Sequence, residues 1–149
     1  MKAEIFRNEF LQAIVPAGWK WFLGIDAEGN ATPKKVHIFK DAKSEMDIFQ
    51  KAGITICYYE DARQYVLMKC LYDDVQDIEP FKLGNYCWSG FTCKSFGYPY
   101  IMLETSESTD RVLVMILTEN GENKISFSDN DVQMILKSIV AGRREEKQS

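Results

Sequence analysis

The sequence has a single histidine, His37, and no Cys-x-x-Cys pair among its four cysteines, Cys57, Cys70, Cys87 and Cys93. A structural zinc site needs about four ligands at close spacing, and only His37 could join the cysteines. The cysteines therefore read as small, reduced, buried side chains. No Gly-x-Ser-x-Gly elbow is present, and nucleophilic catalysis needs a base and an orienting group beside the nucleophile. Pairing His37 with Cys57 or Cys87 has nothing in the spacing to support it. The phosphate-loop and Gly-x-Gly-x-x-Gly patterns are also missing, which removes the usual nucleotide signatures. No apolar run approaches the roughly 20 residues needed to span a bilayer.

Clustered positive charge is scarce as well. The net charge is -4, and the one clear basic cluster is Arg143-Arg144. Nucleic-acid binding usually requires a basic stripe, so that class is set aside. Charges run through the first seven residues, which lack the apolar core of a signal peptide. The chain as given reads as cytoplasmic; an exported protein whose leader had been removed would look the same.

What is present is ordinary globular composition, with 46% hydrophobic and 27% charged residues over a length of 149. That suits one domain with a real core. We expect a domain over 1–142 and a flexible tail over 143–149. Ile5-Phe6, Phe10-Leu11 and Ile14-Val15 predict two short strands joined near Asn8. Trp19 to Ile25 predicts a third strand, ending in the turn-rich Asp26-Ala27-Glu28-Gly29-Asn30. Val36 to Phe39 predicts another. Ser44 and Asp47 approach a capping box for a helix over 45–52, with Gly53 as its stop. Ile54 to Tyr59 is β-branched and aromatic, and predicts a strand.

The segment 61–75 has two readings. Tyr65, Met68, Tyr72 and Val75 fall at helical spacing among good helix formers, which favours a helix. A hairpin of 65–72 on 54–59 is the alternative. Asp73, Asp74, Asp77 and Glu79 then read as a solvated acidic loop, without the regular spacing of a calcium loop. The stretch 81–96 predicts one long central strand, bent at Ser89-Gly90. Tyr98 to Thr105 is a strand, 106–110 a turn, and Arg111 to Glu119 another strand. Val112 to Leu117 is apolar throughout, as in a strand covered on both faces. Asn120-Gly121 marks a tight turn. A final helix begins at Ser128, carries Val132, Ile135, Leu136, Ile139 and Val140 on one face, and stops at Gly142.

Three motifs in order resemble the Mog1/PsbP-like group. They are Phe10-x-x-x-Ile14-Val15-Pro16-x-Gly18-Trp19, Leu83-Gly84-x-x-x-Trp88-x-Gly90, and Asp131-Val132-x-x-Ile135-Leu136-x-Ser138-Ile139. The middle, 41–79, matches only by order of elements. The resemblance implies an α+β fold: an antiparallel β-sheet with helices on both faces, an α/β/α sandwich. That group includes photosystem accessory proteins, nuclear-transport GTPase-binding proteins and many bacterial proteins, often lipoproteins. It implies a scaffold or binding role rather than a reaction. This chain departs from the exported members in having no lipobox or leader, and no partner surface transfers residue by residue.

Aromatic density is the remaining signal. Trp88, Phe91, Phe96, Tyr98 and Tyr100 form the candidate binding patch, for a protein partner or a small apolar ligand; the other reading is that the aromatics fill the sheet–helix core, with Trp88 as a core anchor. No cofactor and no metal are expected. The expected function is a non-catalytic binding or interaction module. A structural subunit of a larger assembly and an enzyme with an unrecognised site are the alternatives. The last would need a concave pocket in which His37 or a pair of the plentiful carboxylates converges.

Overall fold

A computed structural model describes residues 2–61, 67–105 and 109–142. Two sheets carry the architecture. The larger has seven strands: β3 (Trp19–Ile25), β4 (Ala31–Lys40), β5 (Gly53–Tyr59), β6 (Asp73–Leu83), β7 (Tyr86–Ser95), β8 (Tyr98–Thr105) and β9 (Arg111–Leu117). Their order across the sheet is β3-β4-β5-β9-β8-β7-β6, antiparallel throughout. Two meanders, β3-β4-β5 and β6-β7-β8-β9, thus meet at the β5–β9 seam. A three-stranded sheet is built from β1 (Glu4–Arg7), β2 (Leu11–Val15) and the short β12 (Val140–Ala141). The strands β10 (Glu119–Asn120) and β11 (Asn123–Lys124) close a hairpin at the Asn-Gly turn.

Strand β9 lies at the centre, as its unbroken apolar run predicts. Alternation then separates two faces. Val36, Ile38, Ile54, Ile56, Trp88, Leu103, Val114 and Ile116 face the main core, where they meet Val132, Ile135, Leu136 and Ile139 and the small sheet's Leu11, Ala13 and Val15. His37, Phe39, Thr55, Phe91, Tyr100, Met102, Met115 and Leu117 belong to the second face, by their register with one another.

The one α-helix among the described residues, α1 (Asn130–Ser138), covers the first face only. Helices on both faces are therefore not what the chain builds. The second face carries two short 3-10 turns instead, Glu45–Phe49 and Lys69–Leu71. The mostly antiparallel-sheet character stands; the α/β/α sandwich does not.

Other expectations change for local reasons. The stretch 81–96 is not one central strand. Leu83 ends β6, Gly84-Asn85 turns, and Tyr86 begins β7, next to the sheet's edge. One of two register shifts in β6 lies between Ile78 and Phe81, opposite Ser89, so the extra residue belongs to the partner strand. Gly90 serves close backbone approach: a Cβ there would sit 1.8 Å from the Met102 carbonyl oxygen. The acidic segment is not a loop but the outer strand β6, held to β7 from Asp73 onward. The helix expected over 61–75 is absent from 67–75; the remainder falls largely on 62–66, outside the described residues. Leu67, Tyr72 and Val75 pack on Phe91, Cys93 and Met102, and that tertiary burial overrides helical propensity. Nor does the hairpin alternative form, because both neighbours of β5 are taken by β4 and β9.

The helix over 45–52 shortens to a 3-10 turn, although the Asp47 carboxylate does accept the Lys43 and Ser44 N–H groups. Gly53 is the first residue of β5, where a Cβ would meet the Phe39 ring at 2.3 Å. At α1 the N-cap is Asp129 rather than Ser128, and the helix stops at Ser138 rather than near Gly142. Val140 and Ala141 leave it to pair with Gln12 and Leu11 of β2. The expected turn over 106–110 and the tail 143–149 fall wholly or partly outside the described residues.

The resemblance motifs have structural work here. The Trp19 indole donates to Asp131 Oδ2 at 3.1 Å, tying the Pro-x-Gly-Trp segment to α1. Ser138 Oγ accepts the Ile14 N–H at 2.8 Å and donates to the Ile135 carbonyl. The Gly84-Asn85 turn docks on the end of α1: a Cβ on Gly84 would lie 2.5 Å from the Lys137 carbonyl oxygen, and Asn85 Nδ2 donates to Ile139 O. Trp88, 1% exposed, donates its indole N–H to Leu83 O.

Substituting Gly90→Ala should therefore destabilise the fold by about 3 kcal/mol or more, as an overpacked site that only backbone movement can relieve. Gly29→Ala, whose Cβ meets nothing within 4 Å, should cost only the left-handed backbone penalty, about 1 kcal/mol. Urea unfolding of the two variants checks this; equal midpoints would refute the close-approach role.

Candidate functional site: a groove on the second face

Because α1 covers only the first face, the second face is partly open. The turn Glu45–Phe49 brings Ile48 against Phe39 and Leu117 along one flank. Across the sheet, Tyr72 stands over Phe91, with ring centroids 5.9 Å apart, and marks the other flank. Between the flanks runs a groove of about 290 Å³. Its walls include Phe49, Tyr72, Tyr100, Met115 and Leu117, and its polar groups are His37, Thr55 and Ser95. Among the described residues, no lining side chain is an acid, a lysine or an arginine.

His37 and Thr55 face each other across the β4–β5 register, with Nδ1 and Oγ1 2.7 Å apart. Burial, and then the nearby Lys35 ammonium, pull the His37 pKa from 6.5 down to about 4. The imidazole is neutral at physiological pH. A base whose conjugate acid is that strong is a poor proton acceptor at neutral pH, so the pair is ill suited to general-base activation of the threonine hydroxyl. The partner of His37 is a threonine and not a cysteine. Cys57 is buried elsewhere, and burial raises its thiol pKa to about 11. Among the described residues, no group of three His, Cys, Asp or Glu side chains could hold a metal.

Two other cavities are charged and differ in character. One of about 570 Å³ lies at the β3–β4 end, lined by Asp26, Lys34, Lys35 and Glu60. Another of about 420 Å³ lies over β6–β8, lined by Lys69, Asp77, Glu79 and Glu104. Burial raises the Glu104 pKa against the opposing pull of Arg111. The first is the larger, but its Cys57 thiol is protonated and its Tyr59 phenol is pushed up to about 12 by burial, so neither supplies a nucleophile at neutral pH.

The five aromatic residues singled out from sequence do not form one surface. Trp88 and Phe91 are each 1% exposed and lie on opposite faces, Trp88 in the main core and Phe91 beneath Tyr72. Tyr100 is half-buried in the groove wall, its phenol pKa raised by burial. Tyr98 and Phe96 are 45% and 99% exposed. Phe96 and Gly97 form the two-residue turn between β7 and β8, with φ of 51° and 85°. Both values are positive, as a type I′ hairpin turn requires, and that turn prefers Asn-Gly. Elsewhere among the described non-glycine residues, positive φ falls only on Asp41 and Asp74, a residue type that tolerates it.

Phe96 adjoins Ser95 of the groove, and Leu71 adjoins Tyr72. Phe49 and Leu71 are each 70% exposed, so they add apolar surface beside the groove. His37 was singled out from sequence only as a possible catalytic partner of Cys57 or Cys87 or as part of a catalytic pocket, and Phe49 and Tyr72 were not legible as site residues. The available signal was Phe-Gly in a two-residue link between strands, where a polar pair is expected.

No family model matches the sequence. No curated protein matches it either. Solved structures do match. One is a crystal structure from Bacteroides thetaiotaomicron VPI-5482, 12% identical, with a TM-score of 0.55; the match covers 99% of this chain and 51% of that one. The chain thus spans about half the length of that protein. Another is the solution structure of cyanobacterial PsbP (CyanoP) from Synechocystis sp. PCC 6803, 9% identical, with a TM-score of 0.52, covering 95% of this chain and 93% of that one. The class is an α+β protein built on an antiparallel sheet. Within it, the fold is PsbP-like, of the Mog1/PsbP kind. No helix among the described residues is long and apolar enough to cross a membrane.

The His37 environment makes a pH prediction. Unfolded His37 takes up a proton near pH 6.5, while the folded imidazole stays neutral down to about 4. Between those values the unfolded state binds the extra proton, so acidification through the window destabilises the fold. The melting temperature should fall more steeply from pH 6.5 to 4 in the wild type than in His37→Gln. Parallel curves would show that His37 is not held neutral.

Proposed function

We propose that residues 1–142 form a non-catalytic interaction module that engages a protein partner through the second-face rim, centred on Phe96. One observation carries this reading. A phenylalanine, fully exposed, occupies a left-handed turn position. The backbone there costs about 1–2 kcal/mol for a residue with a Cβ, and the ring gains no burial in return. Strain held without a packing reason is a mark of functional positions. Exposed aromatic anchors are also the side chains that dominate protein interfaces. Tyr98, two residues on, is exposed, and so are Phe49 in the groove wall and Leu71 beside Tyr72 in sequence. The PsbP-like fold supports an interaction or assembly role over catalysis, in keeping with His37 being a poor base.

Assembly through an open sheet edge is less well supported. Strand β6 is broken by two register shifts and carries Pro80 with Asp73, Asp74, Asp77 and Glu79. Bulges, proline and charge are the devices that block edge-to-edge pairing.

The substitution Phe96→Asn separates the two roles of this position. Relief of the left-handed strain should stabilise the fold by about 1 kcal/mol, a rise in melting temperature of roughly 2–4 °C. The partner would be identified by photo-crosslinking from position 96, with position 25 as the distant control, and then reconstituted from purified components. Its affinity should fall at least tenfold in Phe96→Asn. Unchanged affinity in a stably folded variant would sink the proposal.

A further inference from the structure

The groove beneath the rim has a chemistry of its own. Its lining contains aromatic rings, thioethers and aliphatic groups, with Tyr72, Tyr100, Met102, Met115 and Leu117 among them, and among the described residues no charged side chain. The other two cavities named above carry both signs of charge. A charged ligand would lose its hydration in the groove and find no counter-ion among the described residues.

Size narrows the ligand further. An apolar cavity of about 150 Å³ accepts one benzene. The groove, at about 290 Å³, is about twice that and lies at the small end of ligand pockets. It has room for one or two fused rings and cannot enclose a large cofactor.

The polar floor supplies direction. His37 Nδ1 is engaged by Thr55 Oγ1 at 2.7 Å, which fixes the ring. Among the described residues Nε2 makes no hydrogen bond, so it remains for a ligand. A neutral imidazole offers there one donor or one acceptor, depending on the tautomer.

We propose that this groove is a binding site for an uncharged, ring-bearing small molecule of one or two fused rings with a single hydrogen-bonding group. The rings pack between the flank carrying Phe49 and the flank carrying Tyr72, over Met115 and Leu117. The polar group meets His37. The site goes beyond the rim interaction and does not depend on it, because Phe96 is not part of the groove lining.

The test uses the full chain at neutral pH with three ligands of one ring system: 2-naphthol, naphthalene and 2-naphthoate. Titration calorimetry should show one 2-naphthol per chain, bound at least tenfold tighter than the anionic 2-naphthoate. The preference for 2-naphthol over naphthalene should disappear in His37→Phe. Ser95→Trp, which fills the groove at its Phe96 end, should weaken 2-naphthol binding at least tenfold, and Phe96→Asn should leave it unchanged. Methyl NMR on the unmutated chain guards against misfolded variants: the Met102 and Met115 methyl signals should shift with 2-naphthol, and that of the exposed Met134 on α1 should not. No binding, stronger binding of 2-naphthoate, or equal shifts at all three methionines would overturn the site. So would loss of binding in Phe96→Asn, which would move the ligand to the rim. Crosslinking of a partner's aromatic side chain to Met115, with no 2-naphthol bound, would give the groove to the partner instead.

Discussion

The structure depends on the pairing of β5 with β9. Seven residue pairs, from Gly53↔Leu117 to Tyr59↔Arg111, join two meanders that are otherwise separate in sequence. Nearly every residue on both strands is buried. Hydrogen-bonding groups so far from water must be satisfied within the sheet, so the seam is an obligatory ladder. Its partners lie far apart in sequence, Gly53 with Leu117 and Tyr59 with Arg111, and such non-local pairing forms only after a large loop-closure entropy is met. Once it forms, both faces of the sheet are set at the same time.

Those two faces have different fates. On the first, α1 and the small sheet close a dry core around Trp88. The helix is held by particular bonds rather than by hydrophobicity alone: Trp19 to Asp131, Ile14 to Ser138, and Asn85 to Ile139. On the second face no α-helix follows the sheet among the described residues. Two 3-10 turns shield parts of it and leave the groove between them. Its floor is kept uncharged because burial holds His37 neutral. The groove is therefore apolar and, among the described residues, free of charge, unlike the acidic outer strand β6.

Strain is placed where packing does not require it. Gly84 and Gly90 stand where any side chain would strike backbone. Phe96 is the opposite case, a bulky residue in a conformation that suits glycine or asparagine, with its ring in water. Stability alone does not account for it. That contrast separates positions kept for the fold from a position used on the surface.

By itself, the sequence determined the strands and turns with strong local patterns. β-Branched and aromatic runs specify β3, β5, β8 and β9, and Asn120-Gly121 specifies its hairpin. The apolar face of Val132, Ile135 and Leu136 specifies α1. These signals are local, because side-chain period and turn chemistry act over a few residues. Tertiary structure decided the rest. Residues 67–75 carry a helical pattern, but burial against β7 and β8 outweighs propensity. Val140 has the spacing of a helix face, but pairing with β2 claims it. The aromatic cluster looked like one patch because the residues are close in sequence. Alternation along a strand sends Trp88 and Phe91 to opposite faces, and only the turn leaves Phe96 outside. The groove draws on residues from His37 to Leu117, and no local pattern encodes a surface that long-range strand order assembles.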